Sequence, residues 1–137
     1  MKSILTFCLL SICFLLTTSS SCKKEKDTGD CDGIACTMMF AMVTVNVTDS
    51  AGQAVKLDDA YTISNITADT IRHEQNLHDM GYIVLDDSYQ KYIVNTSATF
   101  QFIGVKDGKQ VVNAPFVIGA DCCHINKISG ETEIKIP

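Results

Sequence analysis

A chain of 137 residues with a formal net charge of −5 has room for one ordinary domain besides an export signal, and too little for two. Its acidic balance, with no basic stripe and no interleaving of basic and aromatic residues, excludes nucleic acid as a partner class. The chain has seven cysteines, and their positions divide the sequence into its parts.

The chain opens with Lys2, an apolar run from Ile4 to Leu16, three serines at 19–21 and then Cys22, the layout of a secretory signal peptide. The apolar run has 16 − 4 + 1 = 13 residues and includes Thr6 and Ser11. Crossing a bilayer takes about 20 predominantly apolar residues, so the run reads as a signal and not as an anchor. The stretch Leu15-Leu16-Thr17-Thr18-Ser19-Ser20-Ser21-Cys22-Lys23-Lys24 resembles the signal and lipobox of Gram-negative bacterial lipoproteins, with Ser19 where the commonest lipobox has leucine. The resemblance implies cleavage before Cys22, a diacylglycerol thioether on its sulfur and a fatty acyl group on its amine. Residues 1–21 are then signal peptide, and the mature chain has 137 − 21 = 116 residues with a charge of −5 − 1 = −6 once Lys2 is gone.

Lys23 to Asp30 is charged or small throughout and has no apolar face to bury, as expected of a flexible tether. Charged residues just after the lipidated cysteine also resemble the signals that send some lipoproteins to the outer face of the outer membrane. The lipidated cysteine and tether are assigned to 22–35, and a folded domain to 36–137. Val43-Thr44-Val45-Asn46-Val47-Thr48 alternates with period two, predicting a strand with valines inward. Ser50 to Gln53 reads as a turn, Ala54 towards Ile66 as an extended segment interrupted at Asp58-Asp59, and Gly81 to Leu85 as a short strand. Ala68 to Met80 lacks a helical apolar face and reads as a loop. Thr96 to Val105 alternates with Phe100 and Phe102 on one face, and Asp107-Gly108 predicts a tight hairpin because both residues tolerate positive φ. Val111 to Ala120 is the return strand, Ile125 lies in another, Ser129-Gly130 turns, and Thr132 to Ile136 closes the chain.

About seven short strands with frequent turns predict an all-β fold, a single antiparallel β-sandwich. The valine alternation, Thr48-Asp49-Ser50-Ala51-Gly52-Gln53-Ala54-Val55 and the later Asp79-Met80-Gly81-Tyr82-Ile83-Val84-Leu85 resemble the carboxypeptidase-regulatory or transthyretin-like β-sandwiches. Asp121-Cys122-Cys123-His124-Ile125 resembles a sequence of small exported bacterial domains of this type. The resemblance implies an immunoglobulin-like or transthyretin-like sandwich acting as a non-catalytic module.

Cys8 and Cys13 leave with the signal and Cys22 takes lipid, so Cys31, Cys36, Cys122 and Cys123 remain. Four thiols allow three pairings. Joining Cys31 to Cys36 would force Cys122 onto its neighbour Cys123, whose side chain points to the other face of an extended chain. The two alternatives, each N-terminal cysteine joined to one of the C-terminal pair, avoid that distortion, and spacing does not choose between them. Either closes a loop of nearly ninety residues, for which chain entropy gives about 4 to 5 kcal/mol. The competing use of these residues is a zinc or redox site with His124. It lacks the paired Cys-x2-Cys of strong zinc sites and the Cys-x-x-Cys of redox sites, so no metal or cofactor is assigned.

His73 and His78 stand five apart, not the four that would turn both to one metal on a helix. They are assigned to an exposed loop. Asp58-Asp59 and Asp86-Asp87 each follow leucine and read as solvated turn caps. Asp49-Ser50-Ala51 and Asp69-Thr70-Ile71 resemble bacterial periplasmic O-glycosylation sites, which makes Ser50 and Thr70 candidate acceptors in turns or loops. No nucleophile elbow, phosphate loop or dinucleotide fingerprint is present. The reading is a module anchored to the outer membrane through lipid on Cys22, on the cell surface or the periplasmic face, with an envelope protein or glycan as partner. The alternative is a small metal- or thiol-dependent enzyme using His73, His78, His124 or the cysteines.

Overall fold

The computed structural model describes residues 31–73 and 81–137. Period-two alternation carries straight into the core. In β1 (Met42–Thr48) Val43, Val45 and Val47 are buried while Met42 and Asn46 are exposed. β2 (Asp59–Ser64) buries Ala60, Thr62 and Ser64 in the same way. β3 (Thr70–Ile71) is a two-residue edge, and β4 (Tyr82–Asp86) follows. A 3-10 turn, Asp87–Tyr89, then runs into the four-residue helix α1 (Gln90–Ile93). The long hairpin β5 (Thr96–Lys106) and β6 (Lys109–Ala120) precedes β7 (Ile125–Ser129) and β8 (Glu133–Lys135).

Two sheets result, β4-β1-β8 and β3-β2-β5-β6-β7, with the core between them, as expected for an all-β sandwich. Phe100, Phe102 and Phe116 are fully buried there, each contributing about 1.5 to 3 kcal/mol by leaving water. At the hairpin tip Asp107 and Gly108 both have positive φ, 51° and 69°, the backbone of a type I′ turn. Lys106 and Lys109 close the ladder behind them.

The sheets are also joined by a polar contact. Val43 pairs with Leu85 and Thr44 with Ile83, so Val84 is an extra residue in β4, a bulge. The Val84 carbonyl accepts from the buried Thr62 hydroxyl of the opposite sheet at 2.7 Å. A tyrosine adds a second tie. Tyr82 Oη accepts from Leu57 N at 2.7 Å and donates to Val55 O at 2.9 Å, fixing the connection between β1 and β2.

Two local expectations are corrected and a third is made specific. β8 runs parallel to β1, pairing Asn46 with Glu133 and Thr48 with Lys135, so the sandwich is not wholly antiparallel. The expected turn at Ser129-Gly130 takes the chain across from one sheet to the other. Gly130 makes it with φ 123°, where a Cβ would strike the Phe116 ring. Part of the expected loop from Ala68 to Met80 is strand: Ile71 is buried and pairs with Thr62. Helix α1 had no signal, since four residues are too few for an amphipathic pattern.

Candidate functional site

Residues 31–41 cross the molecule as a strap outside both sheets, held by covalent bonds. Cys31 is joined to Cys122 and Cys36 to Cys123, with Cα separations of 5.4 and 5.3 Å. Of the two connectivities left open by the sequence, the chain adopts this one. The turn after β6 makes it feasible. Asp121 Oδ1 accepts the backbone N–H groups of Cys123 at 2.7 Å and His124 at 2.8 Å, and Asp121 N donates to His124 O. The chain is therefore bent at Cys122-Cys123, and both cysteines bond to the strap instead of to each other. The same two backbone donors hold the Asp121 carboxyl below its ordinary value. Asn95, with φ 53°, donates its amide towards both sulfurs of the first bridge, at 3.6 and 3.7 Å.

Beside the second bridge lies a relay that the sequence did not announce. Asp87 Oδ2 is 2.7 Å from His124 Nδ1, and His124 Nε2 is 2.9 Å from Thr37 Oγ1. Asp87 also accepts from Ala41 N at 2.7 Å and Ile125 N at 2.8 Å, and its side chain is only 10% exposed. Burial by itself raises the carboxyl pKa, but the two backbone bonds and His124 outweigh it and hold Asp87 below its ordinary value. An ionised Asp87 requires the proton on His124 Nδ1, so in the neutral imidazole Nε2 accepts from the Thr37 hydroxyl. One carboxylate thus joins the strap, the start of β7 and the imidazole.

Hydroxyl, imidazole and carboxylate stand in the order of a nucleophilic triad. Yet Asp87 spends two of its bonds on backbone of the strap and β7, which is what a clasp requires. A cavity of about 10 Å³, at the limit for one water, is lined by Ser64, Ile66, Thr67, Tyr89, Tyr92 and Phe100, and by no member of the relay. Among the described residues no group of three or more His, Cys, Asp or Glu is arranged to hold a metal.

The other expected site residues are dispersed. Asp86-Asp87 is not solvated, and only Asp86 is a cap. Asp86 caps the 3-10 turn through Ser88 N and lies 3.2 Å from His73 Nδ1, while Asp87 is built into the relay. His73 is correspondingly not an exposed loop residue: its side chain is 10% exposed. Asp58 accepts from Asp107 N, and Asp59 pairs with Arg72. Ser50 is exposed at the tip of a turn built by Asp49 Oδ1, which accepts from Ala51 N and Gln53 N. Thr70 is exposed but lies in edge strand β3 and not in a loop. Cys22 and His78 lie outside the described residues.

Thr37 and Asp87 carried no local signal, because the relay is assembled from positions 37, 87 and 124. The apolar character of the strap does have a sequence signal: Gly33 to Thr48, 48 − 33 + 1 = 16 residues, contains no charged side chain. Comparison with protein-family models, curated proteins and solved structures found no match to this chain.

Proposed function

We propose that this protein is a lipid-anchored, non-catalytic binding or accessory module of the Gram-negative outer membrane, with an envelope protein or glycan as its partner. The observation that carries the reading is the double bridge between the strap and the Cys122-Cys123 turn. Such bridges belong to an oxidising compartment. They lie just downstream of Cys22, where the tether enters the domain. A domain hung from its N-terminus gains from having that terminus bonded to the far end of its own chain. The partner is met through the turns at Ser50 and Asp107-Gly108, which the β1 and β5 strands separate from the strap.

Detergent phase partitioning of the full chain tests the anchor. The protein is expected in the detergent phase, and the Cys22→Ser chain in the aqueous phase. Partitioning of both chains into water would refute the anchor. The Thr37–His124–Asp87 relay favours a second reading, a small hydrolase with Thr37 as nucleophile. Adduct formation at Thr37 with a fluorophosphonate, lost in His124→Ala, would establish it over the non-catalytic one.

A further inference from the structure

Ile34, Met38, Met39, Phe40 and Met42 are 51%, 105%, 69%, 56% and 38% exposed, large apolar side chains gathered on the strap and the first residue of β1. They cannot simply turn inwards. Val43, Val45 and Val47 already fill the core side of β1, and the strap is held at Cys31, at Cys36 and through Ala41 N on Asp87. The Asp87 carboxylate beside the strap bonds Ala41 N, Ile125 N and His124, so its charge is directed into the molecule. The strap therefore presents apolar side chains from a run without charge, fixed in place by covalent bonds. An exposed apolar patch of this kind marks a contact surface.

Chain length says what it meets. Cys22 and Cys31 are 31 − 22 = 9 residues apart, so Cys31, where the strap begins, can stand at most about 32 Å from Cys22 even with the tether fully extended. We infer that the Ile34–Met42 strap rests in the headgroup and acyl boundary of the same membrane that holds Cys22, an inference that rests on the lipid-anchored reading. Methionine and phenylalanine suit such a boundary, being apolar and, for methionine, flexible enough to pack against fluid chains. The contact orients the domain. Thr96 and Ala120 form the strap end of the long hairpin and Lys106 and Lys109 the other, about 33 Å away along an extended strand. Lys106 Nζ reaches Lys56 O and Val55 N donates to Val47 O, so the turn after β1 lies at that far end as well. Ser50 and Asp107-Gly108 therefore project away from the bilayer.

The chain has no tryptophan, so one introduced indole reports alone. Full chains carrying Met39→Trp, Phe40→Trp or, as the far-end control, Lys109→Trp are purified from membranes. They are reconstituted in phosphatidylethanolamine–phosphatidylglycerol vesicles with and without brominated acyl chains, and each preparation is weighed for acylation at Cys22. Acylated protein whose emission at 39 and 40 is blue-shifted and quenched by brominated lipid, with 109 unaffected, is the expected result. Acylated protein with no quenching at 39 or 40 overturns the inference and leaves the anchor standing. A blue shift without quenching means that protein, such as a second copy, covers the strap, which also overturns it. Equal quenching at 109 means unspecific adsorption and does the same. Absence of acyl on Cys22 removes the anchored reading and this inference with it.

Discussion

Removing one bridge should cost far less than half of what removing both costs. Cys31–Cys122 and Cys36–Cys123 span separations of 91 and 87 residues, and chain entropy gives about 4.6 kcal/mol for closing either loop alone. The two loops overlap almost completely, however. With one in place the other closes only a small ring of (36 − 31) + (123 − 122) = 6 residue steps, for which the same relation gives about 2.2 kcal/mol. Replacing one pair by alanine should therefore destabilise by about 2 kcal/mol, and replacing both by about 7, which rivals the whole stability of an ordinary domain. None of the four cysteines is fully buried, so cavity costs add little. Urea unfolding of the two double-alanine chains and the four-alanine chain reads the difference. Each double variant should lose about 1 M in midpoint, and the four-alanine chain should be largely unfolded without denaturant. Losses of about 4.6 kcal/mol from each pair, adding to twice that in the four-alanine chain, would refute the shared-loop reasoning.

Three further substitutions test contacts described above. Asp87→Asn removes a carboxylate that accepts three bonds and should cost about 2 to 4 kcal/mol in denaturant unfolding. Because the Asp87 pKa is lowered on folding, its stabilisation is fully present above the ordinary carboxylate range, near pH 4, and is lost as pH falls through the lowered folded value. An acid titration of stability should be flatter for Asp87→Asn than for the parent below about pH 4, and parallel curves would contradict this. Thr62→Val keeps the volume but deletes the donor to the Val84 carbonyl. It should cost about 1 to 3 kcal/mol, whereas a neutral or stabilising change would mean that the bulged carbonyl finds another donor. Tyr82→Phe strips the connection before β2 of two hydrogen bonds and should speed amide exchange at Leu57; unchanged exchange there would show that the tyrosine does not hold that loop.

Strand identity was legible wherever one face is buried, because alternation of side chains is then dictated by the pleat. Val43, Val45 and Val47 and the pair Phe100 and Phe102 are the plain cases. Asp107-Gly108 was legible for a local reason, positive φ at both residues. What the sequence concealed is non-local. Val84 reads as part of a simple strand, and only pairing with β1 reveals the bulge that frees its carbonyl for Thr62. Ser129-Gly130 has turn chemistry, but the need for a glycine beside the Phe116 ring, and the crossing to the other sheet, come from strands distant in sequence.

The site divides along the same line. Covalent geometry disfavoured a bond between Cys122 and Cys123, and that part was readable from adjacency alone. The choice of partner depends on how Asp121 bends the turn and where the strap crosses, so it was not. Asp87 reads as a solvated cap in the sequence for an equally physical reason. Paired aspartates at a strand end are normally hydrated, and the backbone donors of Ala41 and Ile125 that justify burying Asp87 come from distant parts of the chain.

Intact-mass spectrometry of the full-length protein purified from its native membrane, with and without reduction before alkylation, tests the anchored and stapled module most directly. The expected result is a mass beginning at Cys22 with acyl chains added, and Cys31, Cys36, Cys122 and Cys123 alkylated only after reduction. An unacylated mass, or any of the four cysteines alkylated without reduction, would contradict it.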